Sequence, residues 1–340
     1  MRIGIDLMGG DVPPRLLFPA IVHAAQKLGA SCSFAVFSTQ SVVDEFSRYL
    51  SSEFPSLTSS TIAFHVAKEV ISMDDEPLHA VRRKTDSSLV KGLDSLKNGD
   101  IDAFVSCGNT GALIAGATLS LPHMEGVSRP GLLASLPTEK GSVAILDVGG
   151  NVACKAEQLV NYAYLGSVYA SVANGSLLPK VSLLNIGVEA GKGTEEVRRA
   201  YKILEGLELE RQNGSSLPFQ FCGNIEGREI FRGFCDVVVT DGFSGNIMLK
   251  TAEGVSAFIF DTLEEMSIVR NDLEGRKVFE RLQKQFDYTQ QLGAFICGID
   301  ALVFKVHGNA DADSLLVTIL GAADCVSSKL LDKMKAKARS

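Results

Sequence analysis

Short apolar runs recur along the chain, each stopped by a glycine-rich turn and followed by apolar residues at helical spacing. Asp102–Ser106 has strand character, Gly108–Gly111 turns, and Ala112–Leu121 reads as a helix. Ser142–Val148 is a second strand, followed by Gly149-Gly150-Asn151 and a helix over Ala156–Ala173. Val181–Ile186, the loop Gly187–Gly193 and a helix over Glu195–Leu204 repeat the theme, as do Asp236–Thr240, Asp241–Gly245 and Asn246–Phe260. A fifth strand, Ala301–Val306, leads into His307-Gly308-Asn309-Ala310-Asp311, and the chain opens directly on strand-like Met1-Arg2-Ile3-Gly4-Ile5-Asp6. Alternating strands and helices predict an α/β fold with a mostly parallel sheet covered on both faces. Ligands of such sheets bind beyond the carboxyl ends of the strands, where the four glycine-rich turns are expected to meet around one cleft.

Leu263–Gln285 breaks the pattern. It is dense in charge and keeps apolar residues at helical spacing, which predicts a protruding helical hairpin over about 255–290. Ser51–Thr61 reads as a polar loop, and no Pro- or Ser-rich linker divides the chain. One catalytic domain over 1–334 is expected, with a basic tail at 335–340.

Composition narrows the class. Of 340 residues 46% are apolar, enough for a large core, and the formal net charge is −7 with no basic stripe, which argues against a nucleic-acid partner. No cleavable apolar leader and no run of about 18 apolar residues is found, so a cytoplasmic protein is expected. The seven cysteines stand apart without CxxC spacing, as reduced thiols do, and the five histidines form no metal-ligand pair; no metal or cofactor is expected.

The turns supply the candidate chemistry. A helix N-terminus offers unpaired N–H groups and partial positive charge, and small residues let an anion approach the backbone. Gly108, Asn109, Thr110 and Gly111 meet that description. Lys192 lies between glycines just before a helix, where it opposes the helix dipole; capping explains Thr194 but not Lys192, which suits a phosphate or thioester oxygen. Asp241 ends a Val-rich strand, with Asn246 opening the next helix, and His307 ends another strand as a candidate acid, base or donor. No GxSxG elbow, GxxxxGK[ST] loop or GxGxxG fingerprint is present.

In chain order, Met1-Arg-Ile-Gly-Ile-Asp-Leu-Met-Gly-Gly-Asp11, Glu76-Pro77, Ala80-Val-Arg-Arg-Lys84 with Ser87-Ser88, Gly108-Asn-Thr-Gly-Ala112, Leu146-Asp-Val-Gly-Gly-Asn151 with Cys154-Lys155, Gly166-Ser-Val-Tyr169, Leu183-Leu-Asn-Ile-Gly187, Lys192-Gly193, Gly223-Asn-Ile-Glu-Gly-Arg228, Asp241-Gly-Phe-Ser-Gly-Asn246 and His307-Gly-Asn-Ala-Asp311 resemble the PlsX family. Four positions depart from the family pattern: Val12 for a common His, Cys107 for a small residue, Gly150 for Ala and Ala156 for Pro.

The resemblance implies a three-layer α/β/α sandwich related to phosphotransacetylases and isopropylmalate-dehydrogenase-like proteins. It implies transfer of a fatty acyl group from acyl carrier protein to inorganic phosphate, with the acyl phosphate used by a glycerol-3-phosphate acyltransferase. Homodimerisation and peripheral association with the inner face of the cell membrane are implied too. Direct transfer is expected, with Asn109, Thr110, Lys192 and Asn246 on phosphate or oxyanion, and Asn185, Asn224 and His307 in reserve. Asp6, Asp11 and Asp241 are expected to orient donors, with Gly10, Asn151 and Gly245 lining the site. The alternatives are an acyl-CoA transferase of phosphotransacetylase type, an oxidoreductase of the related dehydrogenase fold, and a non-catalytic membrane-associated scaffold, which Val12 favours.

Overall fold

The computed structural model describes residues 1–57, 61–265, 273–286, 293–306 and 311–338. The single domain expected over 1–334 meets a chain that divides into two compact units, Met1–Pro130 with Leu292–Ser340, and Gly131–Gln291. No composition shift marks Pro130-Gly131, because the chain passes between units without a linker.

In the first unit the strands are β1 (Arg2–Asp6), β2 (Ser33–Thr39), β3 (Ile62–Ala67), β4 (Ala103–Ser106), β10 (Ala294–Cys297) and β11 (Leu302–Lys305), ordered β3-β2-β1-β4-β11-β10. All pair in parallel except β10 with β11. Strands such as β4 are buried along their whole length, as expected where both faces of a parallel sheet are covered. The helices are α1 (Pro14–Leu28), α2 (Gln40–Glu53), α3 (Pro77–Arg83), α4 (Ser88–Lys97), α5 (Thr110–Ser120), α10 (Ala312–Ser327) and α11 (Leu330–Ala338). Register places Asp6, Ser106 and Lys305 side by side on β1, β4 and β11.

The second unit orders β5 (Gly131–Thr138), β6 (Gly141–Leu146), β9 (Val237–Val239), β7 (Lys180–Leu184) and β8 (Gln220–Ile225) as β5-β6-β9-β7-β8, with α6 (Ala156–Ala173), α7 (Glu195–Gln212), α8 (Gly242–Glu265) and α9 (Leu273–Phe286). Only β5 with β6 is antiparallel among its pairs. Leu146, Val239 and Leu183 stand level on β6, β9 and β7, so the turns after these strands leave from one edge. α9 and the end of α8 fall within the span expected for a hairpin over about 255–290, of which residues 266–272 and 287–290 lie outside the described residues.

Among the described residues no single helix is long and apolar enough to cross a membrane. The bent pair α10–α11 has suitable composition, but α10 packs on α1 and buries Leu315, Ile319 and Ala322 in the core.

Candidate functional site

The first unit gathers two glycine turns at the ends of β1 and β4. Asp6, buried at the end of β1, accepts from the Met8 amide (3.0 Å), the Ser106 hydroxyl (2.8 Å) and Ser88. Burial pushes its carboxyl above the usual range, opposed by these donors and by the charge of Lys305. Gly9 has φ +74°, and a Cβ there would lie 2.1 Å from the Ile71 carbonyl; one on Gly10 would lie 2.8 Å from that of Cys107. These approaches are open to glycine alone.

Asn109 caps α5, its Oδ1 accepting from Ala112 N at 3.0 Å, while its Nδ2 donates to the carbonyls of Ser72 and Met73, both at 3.1 Å. Its side chain therefore holds the turn. What the turn presents outward is the half-buried Thr110 and Gly111, whose main-chain amides open the helix. Pro77, first residue of α3, packs so tightly on Gly111 that a Cβ there would sit 2.7 Å from its Cγ. Gly108 donates to the Ser106 hydroxyl at 3.1 Å. Gly10 is half-buried and Asp11 exposed. His307 lies outside the described residues.

The other three turns belong to the second unit. Asp147, fully buried just after β6, organises two of them, the loop after β6 and the start of α8. Its Oδ1 accepts from the amides of Leu132 (2.9 Å), Gly149 (3.0 Å) and Gly150 (2.7 Å), and its Oδ2 from the Asn151 amide (2.8 Å) and side chain (3.0 Å). Asn151 also donates to the Tyr162 hydroxyl at 2.9 Å, and its carbonyl accepts from Gly242 N at 2.8 Å, joining this loop to the start of α8. Asp241 caps α8 through Ser244 N (2.8 Å) and the Ser244 hydroxyl (3.2 Å). Gly245 packs so closely that a Cβ would fall 1.9 Å from the Asp147 carbonyl. Asn246 then stands exposed at the first turn of α8, its amide carbon 3.8 Å from the point where a Cβ on Gly149 would lie.

After β7, Asn185 holds both ends of its loop: Oδ1 accepts from Ile186 N at 2.8 Å and Nδ2 donates to the Lys192 carbonyl at 3.1 Å. Asn224, buried on β8, donates to the Glu189 carbonyl at 2.9 Å. The loop ends at Thr194, which caps α7 by accepting from Val197 N at 3.3 Å. Lys192 is exposed on it, and among the described residues neither Lys192 nor Asn246 has a side-chain hydrogen bond or ion pair.

The candidates thus divide by task. Asn109, Asn151, Asn185, Asn224, Asp6 and Asp241 hold turns together; Lys192 and Asn246 stand exposed, and Thr110 and Gly111 are half-buried at the start of α5. Two residues escaped the sequence reading: Asp147, whose five donors converge only in three dimensions, and Lys305, a buried lysine inside an apolar strand. The signal available for Lys305 was a lysine next to last in the otherwise apolar run Ala301–Val306.

The cysteines divide from the chemistry. Cys107 beside the Gly108 turn is buried, and desolvation pushes its thiol up to about 12, which leaves it protonated and a poor nucleophile.

The family model described as "Fatty acid synthesis protein" matches residues 1–333. The "Phosphate acyltransferase" of Chlamydia pneumoniae is 38% identical over 336 residues, covering 98% of both chains. That of an Exiguobacterium species is 39% identical over 345 aligned positions, again covering 98% of each. Among solved structures, a phosphotransacetylase from Streptococcus pyogenes superposes with a TM-score of 0.62 at 16% identity, covering 96% of this chain and 94% of the other, a likeness of fold. With matches that run end to end, the chain belongs to the fatty acid synthesis protein family.

Proposed function

We propose that the protein transfers a fatty acyl group from the thioester of acyl carrier protein to inorganic phosphate. The observation that carries the reading is the near full-length identity to relatives named phosphate acyltransferase. A phosphate oxygen adds to the thioester carbonyl, the tetrahedral oxyanion collapses, the C–S bond breaks, and the carrier thiolate takes up a proton. Phosphate is already nucleophilic and the thioester already activated, so alignment and oxyanion stabilisation suffice. Lys192, Asn246 and the Thr110 and Gly111 amides are assigned to phosphate and oxyanion. Asp6, Gly10, Asp11, Gly108, Asn109, Asn151, Asn185, Asn224, Asp241 and Gly245 shape the turns that present them, and His307 is assigned as a further donor on sequence alone.

The test mixes the protein with palmitoyl-carrier protein and phosphate and traps acyl phosphate as the hydroxamate. Product with the carrier thioester, and far less with the CoA thioester of the same chain length, is expected; the reverse preference selects the acyl-CoA alternative. Labelled acyl-carrier protein without phosphate should leave no label on the enzyme, and a stable adduct overturns direct transfer.

The finer assignments are cytoplasmic location, a homodimer, peripheral contact with the inner face of the membrane, and handover of product to a membrane glycerol-3-phosphate acyltransferase. Supporting a covered surface on α8 are Phe243, Ile247, Val255, Phe258 (70% exposed) and Ile259, apolar residues repeating at helical spacing on its exposed surface. Sedimentation should give a dimer, with anionic vesicles carrying part of the protein on flotation; a monomer that ignores vesicles removes both assignments.

A further inference from the structure

Lys305 is the last residue of β11 and only 5% exposed, in a run, Ala301-Leu302-Val303-Phe304, that is otherwise apolar and buried. Holding an ammonium in such a place costs desolvation energy that a methionine of similar length would not. Its surroundings show what the charge engages. Lys305 stands level with Ser106 on β4, which stands level with Asp6 on β1. Its Nζ donates to the carbonyl of Cys107 at 3.3 Å and to that of Val306. The Cys107 carbonyl belongs to the same peptide group as the Gly108 amide, and that amide donates to the Ser106 hydroxyl at 3.1 Å, which in turn donates to Asp6 at 2.8 Å.

One peptide group is thus gripped at both poles, by a cation at its oxygen and by a hydroxyl at its nitrogen. Asp6 ties the same network to the Met8 amide, and so to the glycine turn after β1. Just beyond the gripped peptide come Asn109, which caps α5, and the amides of Thr110 and Gly111. Rotation of the 107–108 peptide would swing that helix start, so holding it fixes where those amides point. The buried charge also adds positive potential beneath a helix N-terminus.

We propose that Lys305 is a positioning residue for phosphate: it sets the Gly108–Gly111 turn so that the amides opening α5 face the anion. This rests on the acyl-transfer reading, since phosphate is taken as the anion. A residue acting this way should affect phosphate selectively and leave the thioester substrate alone.

The experiment compares wild type with Lys305→Met and Lys305→Arg. Acyl phosphate formation is followed with phosphate varied at saturating acyl-carrier protein and with the carrier varied at saturating phosphate. Thermal melting is recorded with and without phosphate. Lys305→Met should raise the KM for phosphate about tenfold or more, in line with loss of a charge-assisted hydrogen bond. KM for the acyl carrier should stay within about twofold, the pattern of a lost contribution to one substrate only. The melting rise that phosphate gives wild type should shrink in step with the lost affinity, while the melt without phosphate stays cooperative. Lys305→Arg, which keeps the charge, should recover most of the phosphate affinity.

An unchanged phosphate KM overturns the proposal, as does a parallel loss for both substrates or equal damage from Met and Arg. If Lys305→Met gives no cooperative melt, Lys305→Gln is read by the same criteria. If neither neutral variant folds while Arg matches wild type, Lys305 serves the fold alone and the proposal falls. A wild type that makes no acyl phosphate instead sinks the acyl-transfer reading; the phosphate-dependent melt still decides for or against Lys305.

Discussion

Lys192 carries its charge in the open, between Gly191 and Gly193, on a loop that Asn185 has already pinned. Removing it disturbs no hydrogen bond of its side chain, so Lys192→Ala should leave the melt unchanged within about 0.5 kcal/mol. If it meets phosphate or the oxyanion, kcat/KM should fall roughly 100-fold, the size of one preorganised donor. A variant with near-normal rates would take Lys192 out of the site. Asp147 is the opposite case: buried and saturated by main-chain donors, with nothing in residue type to set it apart within Leu146-Asp-Val-Gly-Gly-Asn151. Residue type and turn context found the outward groups, since an unexplained lysine among glycines is visible in one dimension. They could not separate Asn109 as a brace from Asn109 as a ligand contact, because that depends on the carbonyls of Ser72 and Met73, more than thirty residues away in sequence.

Elements built from local pattern were the most legible. α6 has the bounds its apolar spacing gives, whereas α7 runs on past Leu204 to Gln212, through Glu205, Glu208 and Glu210, which mask its periodicity. Glu208 is the reason that charged extension is stable. Its carboxylate accepts from Arg211 Nε (2.9 Å) and Nη2 (2.5 Å), from Gln212 (3.2 Å), and from the main chain of Phe221 on β8 (3.1 Å). The Arg211 fork, first among the causes, holds its carboxyl down at about 2, against an ordinary 4.5. A depressed folded pKa contributes stability fully above pH 4.5, and the contribution is lost as pH falls toward 2. Glu208→Gln should therefore cost about 2–3 kcal/mol at neutral pH. The gap to wild type in urea unfolding should close progressively below pH 4.5, and a gap that is flat in pH would show that packing rather than charge joins α7 to β8.

At the scale of the whole molecule, the class of fold was readable because strand and helix alternate. The division at Pro130 was not, since two units joined without a linker leave no trace in composition. The scattered cysteines are a whole-chain property with a sharper consequence. Of seven, only Cys222 is exposed. Burial raises the thiols of Cys107, Cys154, Cys235 and Cys325 to about 12 and that of Cys32 to about 11. The thiolate is the reactive form, so none of these is poised to attack a thioester at neutral pH. A thiol reagent added to native protein should titrate close to one group, and all seven only after denaturation. Alkylating the accessible thiol with iodoacetamide should leave acyl phosphate formation intact, because direct transfer gives cysteine no part in the chemistry. Activity lost in step with labelling would instead place Cys222 where a substrate docks, and label passed from acyl-carrier protein to that thiol would require an acyl-cysteine and a different reaction path.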